Sequence, residues 1–228
     1  MRPTVFLFDI DGTLISTGGA GRRAMVSAFT HRYERPDACN FPFGGMTDRA
    51  IARQGIRALD HEPDEAAVDG LIAAYLSFLE AEIPRAEGAK VHAGVHATLD
   101  HLTPLAGAAI GLGTGNVIEG ARRKLRHLDL DHRFAFGGYG SDHEGRPELL
   151  QIGADRGAAH LGQSRASCRV VVIGDTPRDI AAARAIGALC IAVATGNSPL
   201  DELRSHEPDL AIADLTDPAA LRLLRDEP

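Results

Sequence analysis

Short apolar runs that alternate with helical patterns limit the possible folds of this chain more than any other feature. Residues 4–10, 108–113, 133–136, 169–174, 189–193 and 210–213 are apolar nearly throughout, with no in/out alternation. Strands of that kind are covered on both faces, as in parallel sheets. Helical stripes lie between several of them. Val117, Ile118, Ala121, Leu125 and Leu128 share one face, and Leu149, Leu150, Ala154, Ala158 and Leu161 share another. This alternation predicts right-handed βαβ units and an α/β, Rossmann-like, doubly wound parallel sheet. The stretch from Asp217 reads as a last helix.

One interval, residues 11–107, breaks the rhythm. A crossover between parallel strands needs only about a dozen residues. The surplus reads as helix at 20–33, 48–59 and 65–83, with loops rich in Gly, Pro and polar residues at 36–45 and 60–63. We therefore expect an α-helical cap domain inserted at 16–88, and a catalytic core made of 1–15 and 89–228. A chain of 228 residues is long enough to bury such a core without disulfides or a structural metal.

Composition narrows the function. The 24 basic residues are outnumbered by 31 acidic ones, for a net charge of −7. That argues against a nucleic-acid or anionic-membrane partner. Only Lys90 and Lys124 are lysine, so a mechanism that needs lysine has two candidates. Cys39, Cys168 and Cys190 are an odd number without CxxC spacing, which fits reduced, buried thiols in the cytoplasm. The histidines show no HExxH pattern. No apolar run approaches the ~18–20 residues of a membrane span. The first one runs into Asp9 and Asp11, unlike a signal peptide.

Ligands of open parallel sheets bind at the carboxyl ends of the strands. Here those ends carry Asp9-Ile10-Asp11-Gly12-Thr13, Thr114-Gly115-Asn116 and Asp175-Thr176-Pro177-Arg178-Asp179. Two carboxylates about 4 Å apart repel by roughly 4 kcal/mol at an effective dielectric near 20. Four converging aspartates need a cation or a shared proton to relieve them, and hard oxygen ligands with retained water suit Mg²⁺. The Gly115-Asn116 turn opens a helix, whose free N–H groups can cradle phosphate oxygens.

These motifs, in this order, resemble the haloacid dehalogenase superfamily in its phosphatase branch. DxDGT is Asp9–Thr13, the second-motif threonine is Thr114, and the acidic fourth motif is Asp175 with Asp179. The insertion after the first motif resembles that family's type 1 helical cap. The resemblance implies a Mg²⁺-dependent phosphatase acting through an aspartyl phosphate. Asp9 would be the nucleophile and Asp11 the general acid, then base. Mg²⁺ would sit on Asp9, the Asp11 carbonyl and Asp175, with Asp179 assisting. Thr114, Gly115, Asn116, Gly12 and Thr13 would surround the transferring phosphoryl group. An aspartate two places after the nucleophile matches the enzymes that cleave phosphate esters, whose leaving oxygen needs a proton donor.

The family's third motif usually supplies a lysine, and neither lysine here has the expected place. Arg146 does, in Gly145-Arg146-Pro147, and is taken as the replacement cation. In the inserted segment, Thr47 or Asp48 of Gly44-Gly45-Met46-Thr47-Asp48 reads as a helix N-cap, and Thr47 also as a substrate contact. Gly18, Gly19 and Gly21 suit a hinge. Arg22, Arg23 or Arg49 could meet an anionic group, with Arg22 and Arg49 put forward. The expected partner is a small phosphorylated metabolite, phosphoglycolate-like at first sight, and the expected state is monomer or homodimer. The alternatives are a phosphosugar mutase of the same family and a non-catalytic phosphate-binding module.

Overall fold

A computed structural model describes residues 2–225. Its elements in chain order are β1 (Thr4–Phe8), β2 (Ile15–Thr17), α1 (Ala20–Tyr33), α2 (Asp48–Arg57), α3 (Glu65–Glu82), β3 (Ala89–Val91), α4 (Val95–Leu102), β4 (Ala108–Thr114), α5 (Ile118–His127), β5 (Gly137–Tyr139), α6 (Arg146–His160), β6 (Arg169–Gly174), α7 (Pro177–Ala185), β7 (Leu189–Val193), α8 (Leu200–Ser205), β8 (Leu210–Ile212) and α9 (Pro218–Leu224).

The main sheet has the order β5-β4-β1-β6-β7-β8, and every neighbouring pair is parallel. Strand β1 shows why its sequence is apolar at every position. Phe6 and Phe8 pack on one face with Leu99 of α4, Leu125 of α5 and Leu224 of α9. Val5 and Leu7 pack on the other with Leu150 of α6, Ile180 of α7 and Leu203 of α8. Each such side chain, fully buried, contributes ~1.5–3 kcal/mol. The chain turns to opposite sides of β1 when it forms β4 and then β6. That switch point opens a crevice at the carboxyl ends of these three strands.

The strand expected at 133–136 lies instead at Gly137–Tyr139. The ladder starts where Leu112 N–H donates to the Phe136 carbonyl and continues through two glycines. A Cβ on Gly138 would come within 1.8 Å of the Leu149 carbonyl of α6, so close helix packing requires glycine there. Propensity alone favoured the neighbouring phenylalanines.

Helices α1, α2 and α3 form a layer of their own around Phe29, Ile56, Leu71 and Tyr75. The antiparallel ribbon β2–β3, pairing Ile15 with Val91 and Thr17 with Ala89, joins this layer to the sheet at both chain crossings. The ribbon was not foreseen, because its three-residue strands are too short to carry a periodic signal. Among the described residues, no helix is long and apolar enough to cross a membrane. The three cysteines are free and buried.

Candidate active site

The crevice continues into a cavity of about 550 Å³ between the sheet edge and the helical layer. Asp9 and Asp175, at the ends of β1 and β6, line it, and Thr114, at the end of β4, lies outside the lining. Asp9 follows β1, and its backbone N–H donates to the Ile173 carbonyl of β6 at 2.9 Å. Thr114 ends β4 and is fully buried. Its Oγ1 accepts from Asn116 Nδ2 at 2.8 Å and from the Asn116 backbone N–H at 3.3 Å. Asp175 follows β6, and Oδ1 accepts from Thr13 Oγ1 at 3.2 Å. Gly12, at φ +84°, leaves the space the Asp175 carboxylate occupies: a Cβ there would lie 2.4 Å from Asp175 Oδ2.

Arg146, the first residue of α6, reaches Asp9. Its Nη2 lies 2.8 Å from Asp9 Oδ2 and 2.5 Å from Asp179 Oδ1, and its Nε donates to Asp179 Oδ1 at 2.8 Å. All three side chains are buried. Burial disfavours charge on Arg146, but Asp179 and Asp9 outweigh it and hold the guanidinium protonated. Asp179 is committed on its other side as well. Its Oδ2 accepts from the Thr176 N–H at 3.0 Å and from Thr176 Oγ1 at 2.6 Å, the capping box of α7. Asp179 therefore acts first as the anchor of Arg146, a role the sequence reading did not assign to it.

The acidic cluster fits a hard divalent cation. Asp9, Asp175 and Asp179 each present an oxygen within 4.8 Å of the others. Burial raises Asp9 to about 6, against relief from Arg146 and further pressure from Asp179 and Asp11. Burial raises Asp175 to about 8, with Asp179 and Asp9 adding to it. Carboxylates pushed upward this far lack counter-charge, and an all-oxygen donor set is the kind Mg²⁺ takes.

Lys124 is a residue that the sequence reading left out of the site. It projects from α5 into the site, where Nζ lies 2.6 Å from Asp11 Oδ2 and 2.6 Å from Asn116 Oδ1. Burial opposes its charge, but Asp11, Tyr75 and Asp48 raise its pKa well above the ordinary lysine value. Asn116 Nδ2 donates to the same Asp11 oxygen at 2.9 Å. A signal was present in the sequence: Lys124 stands three residues after Ala121 and beside Leu125, on the buried stripe of α5. A lone charge on an apolar stripe marks a buried partner.

The helical layer supplies Asp48 rather than Thr47. Thr47 is the N-cap of α2: its Oγ1 accepts from the Ala50 N–H at 3.1 Å and donates to the Glu144 carbonyl at 3.3 Å, outside the cavity lining. Asp48 is buried and lines the cavity. Arg22 lines it too, with Nη2 donating to the Phe41 carbonyl at 2.9 Å and its guanidinium 3.8 Å from the Phe43 ring centre. Arg49 lies outside the lining, tied to Glu65 and Asp69 at 2.5 Å each, so the expectation of a substrate contact there is not met. Lys90 in the ribbon and His92 just after it join the lining unforeseen.

Comparison with known proteins decides the family. A family model described as "Hydrolase: haloacid dehalogenase-like hydrolase" matches residues 3–187, most of the chain and all of the motifs above. The chain belongs to the haloacid dehalogenase-like hydrolases. It is 29% identical over 218 residues to hexitol phosphatase A of Escherichia coli (strain K12), covering 94% of this chain and 93% of that protein. Two solved structures share the fold of this haloacid dehalogenase-like chain. A hydrolase from Pseudomonas syringae superposes with a TM-score of 0.71 at 22% identity, covering 98% of each chain. A predicted phosphoglycolate phosphatase from Haemophilus somnus 129PT does so with 0.66 at 18%, covering 99% of this chain and 97% of the other.

Proposed function

We propose that this enzyme is a Mg²⁺-dependent phosphatase of small phosphate monoesters that works through a phosphorylated Asp9. The observation that carries the reading is the meeting of Asp9, Asp11, Arg146 and Asp175 in the lining of one cavity at the switch point of the sheet, with the buried Thr114 bonded to Asn116 of the same lining. Hexitol phosphatase A and the predicted phosphoglycolate phosphatase are relatives with the matching type of activity in their names.

Asp9 attacks phosphorus, and the ester oxygen leaves with a proton from Asp11. Asp11 then takes a proton from the water that cleaves the phosphoenzyme. Arg146 fixes the Asp9 carboxylate and neutralises charge on the phosphoryl oxygens. Thr114 and the N–H of Gly115, in the loop that opens α5, hold those oxygens. Asp9, the Asp11 carbonyl and Asp175 would hold Mg²⁺, which supplies charge neutralisation for phosphoryl transfer. Asp179 orients Arg146. The helical insertion acts as a cap that closes the cavity and excludes water during transfer.

The test is phosphate release from p-nitrophenyl phosphate and a panel of metabolite esters, with Mg²⁺ and without a bisphosphate activator. Turnover should need Mg²⁺ and vanish in Asp9→Asn while the fold is kept. Persistent turnover in that variant, or a strict need for a bisphosphate, would rule the reading out.

A further inference from the structure

The turn after β7 brings Thr195, Gly196 and Asn197 into the cavity lining that also holds Asp9 and Asp175. Gly196 stands against the Asp175 carboxylate. A Cβ on Gly196 would lie 1.7 Å from Asp175 Oδ2, 2.6 Å from its Cγ and 3.1 Å from its Cβ. Gly12 crowds the same oxygen, with its own Cβ position 2.4 Å from Oδ2. The carboxylate thus occupies volume that a side chain would need at either position. Two hydrogen bonds complete this slot. Thr13 Oγ1 donates to Asp175 Oδ1 at 3.2 Å, and Thr195 Oγ1 donates to the Gly12 carbonyl at 2.6 Å. The second bond ties the two glycine-bearing loops to each other.

The two glycines answer different needs. Gly12 has φ +84°, so its backbone favours glycine whatever stands beside it. Gly196 is not in the left-handed region, so its backbone suits any L-residue. The atoms that a Cβ on Gly196 would strike belong to the rotatable side chain of Asp175. A larger residue at 196 would therefore push the carboxylate aside and leave the backbone in place. An aspartate has two rotatable bonds, and a metal ligand that swings must be frozen when the cation binds. A slot that fixes it beforehand removes that cost. Rigidity also discriminates between cations, because Mg²⁺ demands near-ideal octahedral geometry whereas Ca²⁺ accepts irregular ligation.

We infer that Gly196 and Thr195 are positioning residues of the metal site, which hold the Asp175 carboxylate in a fixed setting that favours Mg²⁺ over Ca²⁺. This rests on the Mg²⁺ reading above and deepens it.

Mg²⁺ and Ca²⁺ titrations of metal-free protein, followed by the rise in Tm, give a Kd for each cation without turnover. Gly196→Ala should weaken Mg²⁺ binding about 10–100-fold, as losing the support of a metal ligand does, and Ca²⁺ binding by less. Thr195→Val keeps the shape of the side chain and cuts the bond to Gly12. It should weaken Mg²⁺ binding by a smaller factor, and it decides the matter if Gly196→Ala does not fold. Asp175→Asn should remove the Mg²⁺ response. If the wild type responds, Asp175→Asn does not, and both turn variants bind Mg²⁺ as the wild type does, the inference falls while the Mg²⁺ reading stands. An equal loss of Mg²⁺ and Ca²⁺ affinity also overturns it, since a merely damaged site loses both alike. A wild type with no Mg²⁺ response removes the Mg²⁺ reading and the inference with it.

Discussion

Arg146 and Asp179 form a buried pair in which Nε and Nη2 of the arginine both address Oδ1 of the aspartate, at 2.8 and 2.5 Å, while Nη2 also reaches Asp9. The cation at Asp9 is therefore placed by a residue that also caps α7. Truncation to alanine would remove the charge and leave two buried carboxylates facing each other. Arg146→Ala should lower kcat about 10²-fold or more and cost about 3–5 kcal/mol of stability. Arg146→Lys keeps the charge without the fork and should recover part of each. Steady-state kinetics and thermal unfolding check both.

Metal-free stability should fall as pH rises. Asp9 titrates near 6 and Asp175 near 8 in the fold, against 3.8 ordinarily. Between about pH 4 and 8 the folded protein holds protons that the unfolded chain has released, so stability is highest below that window and is lost through it. Chelated protein should show a Tm that drops from pH 5 to pH 8, and Asp175→Asn should flatten the drop. Added Mg²⁺ should raise Tm most at pH 8, where the cluster is most ionised.

Lys124 joins Asp11, Asn116 and the electrostatic field of Asp48. Lys124→Met should cost about 1–3 kcal/mol, because Asp48 has little access to water whereas the half-exposed Asp11 can recruit it. Turnover should fall about tenfold or more through the loss of Asp11 orientation. Differential scanning calorimetry beside kcat measurement separates the two effects; an unchanged kcat would show that Asp11 needs no help from Lys124.

Glu144, in the loop before α6, binds Arg53 of α2: Arg53 Nη2 lies 2.6 Å from Glu144 Oε1. The pair fastens the helical layer to the core near the surface. Glu144→Ala should change global stability by less than about 1 kcal/mol, as surface pairs do. It should nevertheless speed hydrogen exchange along α2 and raise KM, since α2 carries Asp48. Exchange by mass spectrometry reads the first effect.

Much of this protein was legible in its sequence because the signals were local and physically overdetermined. The uniform apolar runs, apart from 133–136, are strands of the parallel sheet. Aspartates following such runs meet at one sheet edge, and the long helical interval forms α1, α2 and α3. Arg146 was legible from its place before a helix-starting proline. What escaped depended on distance in three dimensions. Lys124 and Asp11 are 113 positions apart, and only the packing of α5 beneath the sheet edge brings them to 2.6 Å. Asp48 and Thr47 are neighbours in sequence, yet the tight approach of the 44–48 loop to Gly115 sends one side chain into the cavity and spends the other as a cap. Arg22 and Arg49 looked equivalent until Glu65 and Asp69 neutralised one and left the other at the cavity. The sequence by itself determined the fold class and the strand-end carboxylates, because periodicity and motif order survive without coordinates. Tertiary structure decided which charges meet, because pairing depends on separations of a few ångströms between elements that are far apart in the chain.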